Sequence, residues 1–402
     1  MTSGRRPSQT EFIALTAALI AMVAFSIDSM LPALPRIAAE LTPDSPNVAQ
    51  LIVTSFLFGI GIGTFFVGPI SDAVGRKPVI IAGTVLYSLG ALAGWAAPTL
   101  ETLLVARVVQ GLGAAAPRIV ALAMVRDLHS GREMARVVSF AMMIFTLVPA
   151  VAPAAGTVII NAGGWRALFL AFVIFAFAIS MWFGLRQPET LPVARRRPLR
   201  AGSLWSALRE VLANRVVITS TAVMALGFAA LFGTLSSTQQ VFDQTFGMPD
   251  SFPFWFAIIA VMAGSSSLLN ASLVVRLGMR YLITITLGAQ VLVSGVAAVA
   301  TAFGLWPDAL FFPAYIVWTT GVFFGIGLTI GNLNALALEP MGHIAGMAAS
   351  AVGAIATICA VLLAVPIGLA FDGTPLPLMT GVAVLSLIGW GLMQTIPRPK
   401  TP

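Results

Sequence analysis

Cysteine is nearly missing from this chain of 402 residues: Cys359 stands alone, inside an apolar run. A single thiol excludes a disulfide framework and a thiolate metal cluster. Histidine is almost as scarce, and His129 and His343 both fall in segments that read as loops, so no metal centre and no cofactor are expected. Charged side chains make up only 9% of the chain. No phosphate-binding glycine loop opens a polar domain, no Ser/His/Asp set has a workable arrangement, and no sizeable polar domain exists to signal with. These absences argue against a membrane enzyme or a receptor.

What fills the space is apolar. The composition is 58% hydrophobic with a mean hydropathy of +0.96, more apolar surface than a soluble protein of this length can hide. The runs are continuous, where a barrel would show short alternating segments, so the fold class expected is an all-α integral membrane protein. Twelve transmembrane helices are expected, over residues 12–34, 49–67, 79–97, 101–125, 134–160, 167–185, 216–241, 253–275, 281–303, 309–336, 344–371 and 376–396. About 20 apolar residues cross the hydrocarbon core. The first run follows Arg5 and Arg6 and is too long for a signal-peptide core, so it reads as a retained helix.

The sparse charge is patterned. Net charge +7 and a pI near 10.7 are compatible with nucleic-acid binding, but the basic residues collect in alternate loops. One set holds Arg5, Arg6, Arg76, Lys77, Arg126, Arg132, Arg136, Arg186, Arg195, Arg196, Arg197, Arg200, Arg209, Arg215, Arg276, Arg280, Arg398 and Lys400. The other holds only Arg36 and Arg166 beside several acids. That asymmetry follows the positive-inside rule, puts both termini in the cytoplasm and removes the case for nucleic acid. Residues 186–215 form the longest polar stretch. They divide the chain into a six-helix bundle at 1–185, a linker near lipid headgroups, and a second bundle at 216–402. Within that linker, Ser203 to Asn214 is patterned as a short amphipathic helix.

Asp28 is the only acid deep in an expected span. A carboxylate at that depth is costly and faces a cavity or a partner. It reads either as a proton-coupling group or as a structural acid within the bundle. Arg107 lies at matching depth: Asp28 is six residues before Leu34, Arg107 six after Glu101, each ~9 Å from the outer end. A guanidinium nearby favours the charged carboxylate and burial favours the protonated one. A pairing that changes with conformation would therefore drive protonation and release; a permanent structural pair is the other reading. Arg118 follows Arg107 by eleven residues, within ~20° on the same helix face, just after Pro117. It suits recognition of an anionic or zwitterionic group, or else snorkels to the surface. Gln239, Gln240, Asn332 and Asn334 are polar within apolar spans and either line a cavity or bond between helices.

The halves repeat: Gly75-Arg76-Lys77 follows the second span and Gly278-Met279-Arg280 the eighth. Repeats of this kind build alternating-access transporters. The segment Gly68-Pro69-Ile70-Ser71-Asp72-Ala73-Val74-Gly75-Arg76-Lys77-Pro78 resembles the loop between helices two and three of the major facilitator superfamily. In that family the loop acts as a conformational latch, a role the resemblance gives to Gly68, Asp72, Gly75, Arg76 and Lys77. The second copy has Val275 where Asp72 would be, so its latch reads as degenerate.

Three further stretches are similar to the Bcr/CflA type of drug:proton antiporters. They run from Asp28 to Pro35, from Arg107 to Ala115, and from Pro149 to Gly156, joined by Ala337-Leu338-Glu339-Pro340 through Gly346. The resemblance implies a monomeric, proton-driven exporter of drugs or other small organic molecules in the bacterial inner membrane. Its partners are then the small-molecule substrate, protons and lipid, and Arg107 takes part in the proton relay. It also gives Pro149, Pro153 and Gly156 the part of a bent helix that repacks, although Ala152 and Thr157 replace glycines of the general pattern. Relatives tend to carry an arginine one turn beyond Arg118, where this chain has Leu122. A proton-coupled importer of a metabolite is the alternative on the same fold.

Overall fold

Each expected span becomes helix, because backbone N–H and C=O groups in hydrocarbon must be satisfied within their own segment. The computed structural model describes residues 7–196, 198–199 and 201–396; Arg5, Arg6, Arg197, Arg200, Arg398 and Lys400 lie outside the described residues. The helices are α1 Gln9–Asp28, α2 Leu34–Leu41, α3 Leu51–Val74, α4 Arg76–Trp95, α5 Leu100–Leu128, α6 Gly131–Gly163, α7 Arg166–Arg186 and α8 Ala201–Ala213, then α9 Arg215–Gln240, α10 Phe252–Gly264, α11 Ser266–Leu277, α12 Met279–Ala302, α13 Asp308–Leu338, α14 Ala345–Leu369 and α15 Leu376–Thr395. No strand occurs among the described residues.

Local chemistry explains the starts and breaks. Ser8, Thr99 and Asn214 accept main-chain N–H bonds at the first turns of α1, α5 and α9. The first apolar run, Gln9–Leu41, is broken where Pro32 and Pro35 remove donors, so α1 stops at Asp28 and a short turn leads to α2. The eighth span is also two helices. Ser265 and Ser266 bond back to the carbonyls of Met262 and Ala263, each at 2.6 Å, and compete with the helical ladder at the break. The 62-residue run Asp308–Leu369 bends through Glu339–Ile344, where Met341 leaves helical geometry, and so holds two spans. The linker helix α8 begins two residues before its expected start. Glu210 on α8 pairs with His343 at 2.7 Å.

The chain forms two compact units, Met1–Ala201 and Gly202–Pro402. In the first, α5 is the axis: it packs against α3 on one side and α4 on the other, and α1 rests on α5, α6 and α7. The α3–α5 contact is main chain on main chain. A Cβ at Gly59 would run into the carbonyl of Val108, and one at Gly111 into that of Phe56. Small residues that let helix backbones touch are how apolar helices associate in lipid. In the second unit α9 packs on α13, α14 and α15, and α12 on α13 and α15. Leu268, Leu292 and Val317 stand exposed, part of an apolar perimeter suited to hydrocarbon.

Candidate functional site

Asp28 closes α1 with only 5% of its surface exposed, and its side chain forms no hydrogen bond or ion pair with any described residue. Arg107, at the same depth on α5, is completely buried. The ion pair that the matched depths suggested is not formed. Arg107 donates instead to the carbonyls of Ile52 and Ser26, each at 3.1 Å, and to Gln110 Oε1 at 2.7 Å, while its guanidinium lies 4.2 Å from the centre of the Phe56 ring. Arginine offers a fork of donors, and carbonyl oxygens from α1 and α3 reach it before the carboxylate does. Arg107 thus meets the helix that carries Asp28, two residues before it, at a main-chain carbonyl.

Tyr87 of α4 completes this cluster. Its hydroxyl shares a 2.6 Å hydrogen bond with Ser26 Oγ, which also donates to Met22 O. Gln110 Nε2 is buried without a partner. The Asp28 carboxyl on α1 and the Gln110 amide nitrogen on α5 are thus each left without a partner among the described residues. Such a group has capacity to take up and hand on a proton or to accept a water.

The proline-rich helix meets the same place. Pro149 and Pro153 both lie within α6, which stays helical, and Thr157 donates to Pro153 O at 3.0 Å. Gly156 lies directly on α1: a Cβ there would collide with the carbonyl of Ser29, the residue after Asp28. The structure therefore brings Gly156 to Ser29, the residue after Asp28, and Arg107 to Ser26.

At the far end of α3, the Asp72–Lys77 segment is an ionic knot. Gly75 turns the chain at φ +116°, a conformation favouring glycine. Arg76 donates to Asp72 Oδ1 at 2.6 Å, Ser71 Oγ at 2.7 Å and Asp127 Oδ2 at 2.9 Å, so that α5 is held to the α3–α4 turn. Lys77 reaches the carbonyl of Gly184 at 2.6 Å. Gly68, two turns up α3, contributes its carbonyl to Ser71 Oγ. Gly278 repeats the positive φ at +79°, but Val275 stands exposed there.

The remaining sequence candidates part ways. Arg118 is exposed and has no hydrogen bond or ion pair to a described residue. On the α5 stripe it shares with Arg107, Arg107 reaches α1 at Ser26 and α3 at Ile52. Gln239 on α9 is buried with its Oε1 unpartnered. Asn332 is engaged between helices, donating to Asn270 Oδ1 at 2.7 Å and to Leu328 O. Among the described residues no His, Cys, Asp and Glu set is arranged to hold a metal ion. Tyr87, Gln110, Asp127 and Asn270 were not singled out from sequence. Tyr87 carried a signal, as one of only three tyrosines and the one inside the third span.

Residues 14–364 match the family described as Major Facilitator Superfamily. The chain is 30% identical over 349 residues to the bicyclomycin resistance protein homolog of Haemophilus influenzae, covering 85% of each. It is 27% identical over 393 residues to multidrug resistance protein MdtL of Vibrio parahaemolyticus, covering 97% of this chain and 96% of that one. The fold is similar to that of a D-xylose-proton symporter, with a TM-score of 0.73 at 14% identity, over 96% of this chain and 97% of the other.

Proposed function

Because the chain belongs to the Major Facilitator Superfamily, and is a transporter and not an enzyme, we propose that it exports drugs or other small organic molecules in exchange for protons. The similarity to drug-resistance proteins over nearly the whole chain supports the cargo class. One observation supports the coupling: Asp28 is buried, its side chain has no partner among the described residues, and it lies on α1 between Ser26, which Arg107 and Tyr87 bind, and Ser29, which Gly156 meets. A carboxylate with no competing partner is free to bind a proton in one conformation and surrender it in another. Arg107, held by carbonyls of α1 and α3, is fixed against the helix that carries this acid. Arg118 stands on the same stripe of α5 as a receptor for anionic or zwitterionic cargo, and Gln239 offers a free acceptor in the second unit.

In this reading the protein is a monomer of the bacterial inner membrane with both termini in the cytoplasm. The test has two arms. A drug panel in an efflux-deficient host should show resistance conferred by the chain. Purified protein in liposomes should then drive the selected drug against its gradient when a pH difference is imposed. Uptake of a metabolite along with protons, with no resistance, would reverse the direction assigned here.

A further inference from the structure

Two helices of the first unit, α1 and α5, are capped by the side chain at their own cap position, Ser8 and Thr99. Helix α4 is different. Its cap position is Gly75, which has no side chain to offer, and the cap arrives from 113 positions along the chain. Glu189, in the linker after α7, accepts from Arg76 N at 2.9 Å with Oε1 and from Lys77 N at 3.0 Å with Oε2. The same carboxylate accepts Leu191 N at 2.9 Å, which fixes the linker's own course. Next to it, Thr190 donates to Asp127 Oδ2 at 3.0 Å, the oxygen that also takes Arg76 Nε. Helix N-termini present free N–H groups and favour negative charge, so this bidentate seat satisfies both demands.

The seat needs glycine twice over. Besides the positive φ, a Cβ on Gly75 would lie 2.6 Å from Glu189 Oε2 and 3.0 Å from a terminal nitrogen of Arg196. The repeat in the second unit lacks this arrangement: Gly278 has its positive φ, yet a Cβ there would meet nothing within 4 Å. A turn that needs only glycine's backbone freedom looks like Gly278. Gly75 is additionally a socket.

We propose that Glu189 is a positioning residue for transport: by capping α4 it makes the linker a limb of the α3–α4 turn, so that the turn cannot rearrange without releasing the linker. The proposal rests on membership of the transporter family and not on the identity of the cargo. Its first readout is limited trypsin cleavage after Arg195 in purified protein, which needs no substrate. Glu189→Ala should raise that rate about tenfold, the factor expected for one charge-assisted hydrogen bond. Glu189→Gln, which keeps one acceptor, should fall between. Turnover of a transported drug should drop in the same order while its dissociation constant holds, a split that general misfolding does not produce. Size-exclusion profiles matching wild type establish that both variants are folded. Wild-type cleavage and turnover in Glu189→Ala would overturn the proposal, as would equal losses of turnover and drug binding. If no drug is found for the wild type, the cargo reading fails and the cleavage arm still decides the role of Glu189.

Discussion

Replacing Asp28 by Asn should make the protein more stable and the transporter useless. Asp28 is 5% exposed, and its side chain has no hydrogen-bond or ion-pair partner among the described residues. An unpaired buried carboxylate is penalised far more than a neutral amide of the same shape, even after local relaxation. The amide should therefore recover about 1–3 kcal/mol of that penalty in the native state. For a unit such as Met1–Ala201, that corresponds to roughly 2–12 °C in melting temperature. Thermal unfolding of the two proteins in one detergent measures the first effect. Drug accumulation in liposomes under an imposed pH difference measures the second. Asn cannot titrate, so uphill transport should vanish while drug binding persists. A variant that melts below wild type would mean that Asp28 has a stabilising partner in the native state. A variant that still pumps uphill would remove Asp28 from coupling altogether.

Arg107→Gln removes donors from the carbonyls of Ile52 and Ser26; at about 0.6–1.7 kcal/mol per interhelical bond it should lower stability modestly and change the pH dependence of transport. An unchanged pH profile would refute a coupling role. At the α3–α4 turn, Asp72→Asn should slow turnover less than Asp127→Asn, since the Asp72 side chain is 43% exposed against 17% for Asp127 and exposed pairs are worth under about 1 kcal/mol. Initial rates at saturating drug decide the order. Gly75→Val should be worse than either, because its Cβ strikes Glu189 and the turn needs a positive φ. Arg118→Ala should weaken an anionic or zwitterionic ligand by ~1.5–3 kcal/mol and spare a matched cationic one; competition binding that moves both equally would refute selective recognition.

The twelve spans were legible because hydropathy over a bilayer's thickness is written residue by residue. So were Asp28 and Arg107, as charges where charge is expensive. The ends of elements were harder. Hydropathy alone carries the first span on to Leu34, whereas Pro32 and Pro35 stop α1 at Asp28. The eighth span was read as one helix because Ser265 and Ser266 look unremarkable in an apolar stretch until their hydroxyls are seen bonding backward. Matched depth placed Arg107 beside α1 but could not tell which oxygen it would choose, since main-chain carbonyls leave no mark in a sequence. Asn332 had two open readings, and only the position of Asn270 on α11 decides for the bond between helices. Glu189 lay in a linker without periodicity, where its role depends wholly on what folds against it.

The glycine seam along α5 has a mechanical consequence. Gly59 and Gly111 on the α3 side, and Gly83 and Gly113 on the α4 side, bring main chains into direct contact, with no flexible side chains between them to yield. Three helices joined in this way have the stiffness of a plate. Motion in the first unit must then concentrate at its softer edge, where α1 and the twice-proline helix α6 share the Gly156–Ser29 contact. That contact works as a fulcrum: Ser26 in the last turn of α1 is tied to Arg107 and Tyr87 of the plate, so whatever tilts α6 bears on the end of α1 against that tie.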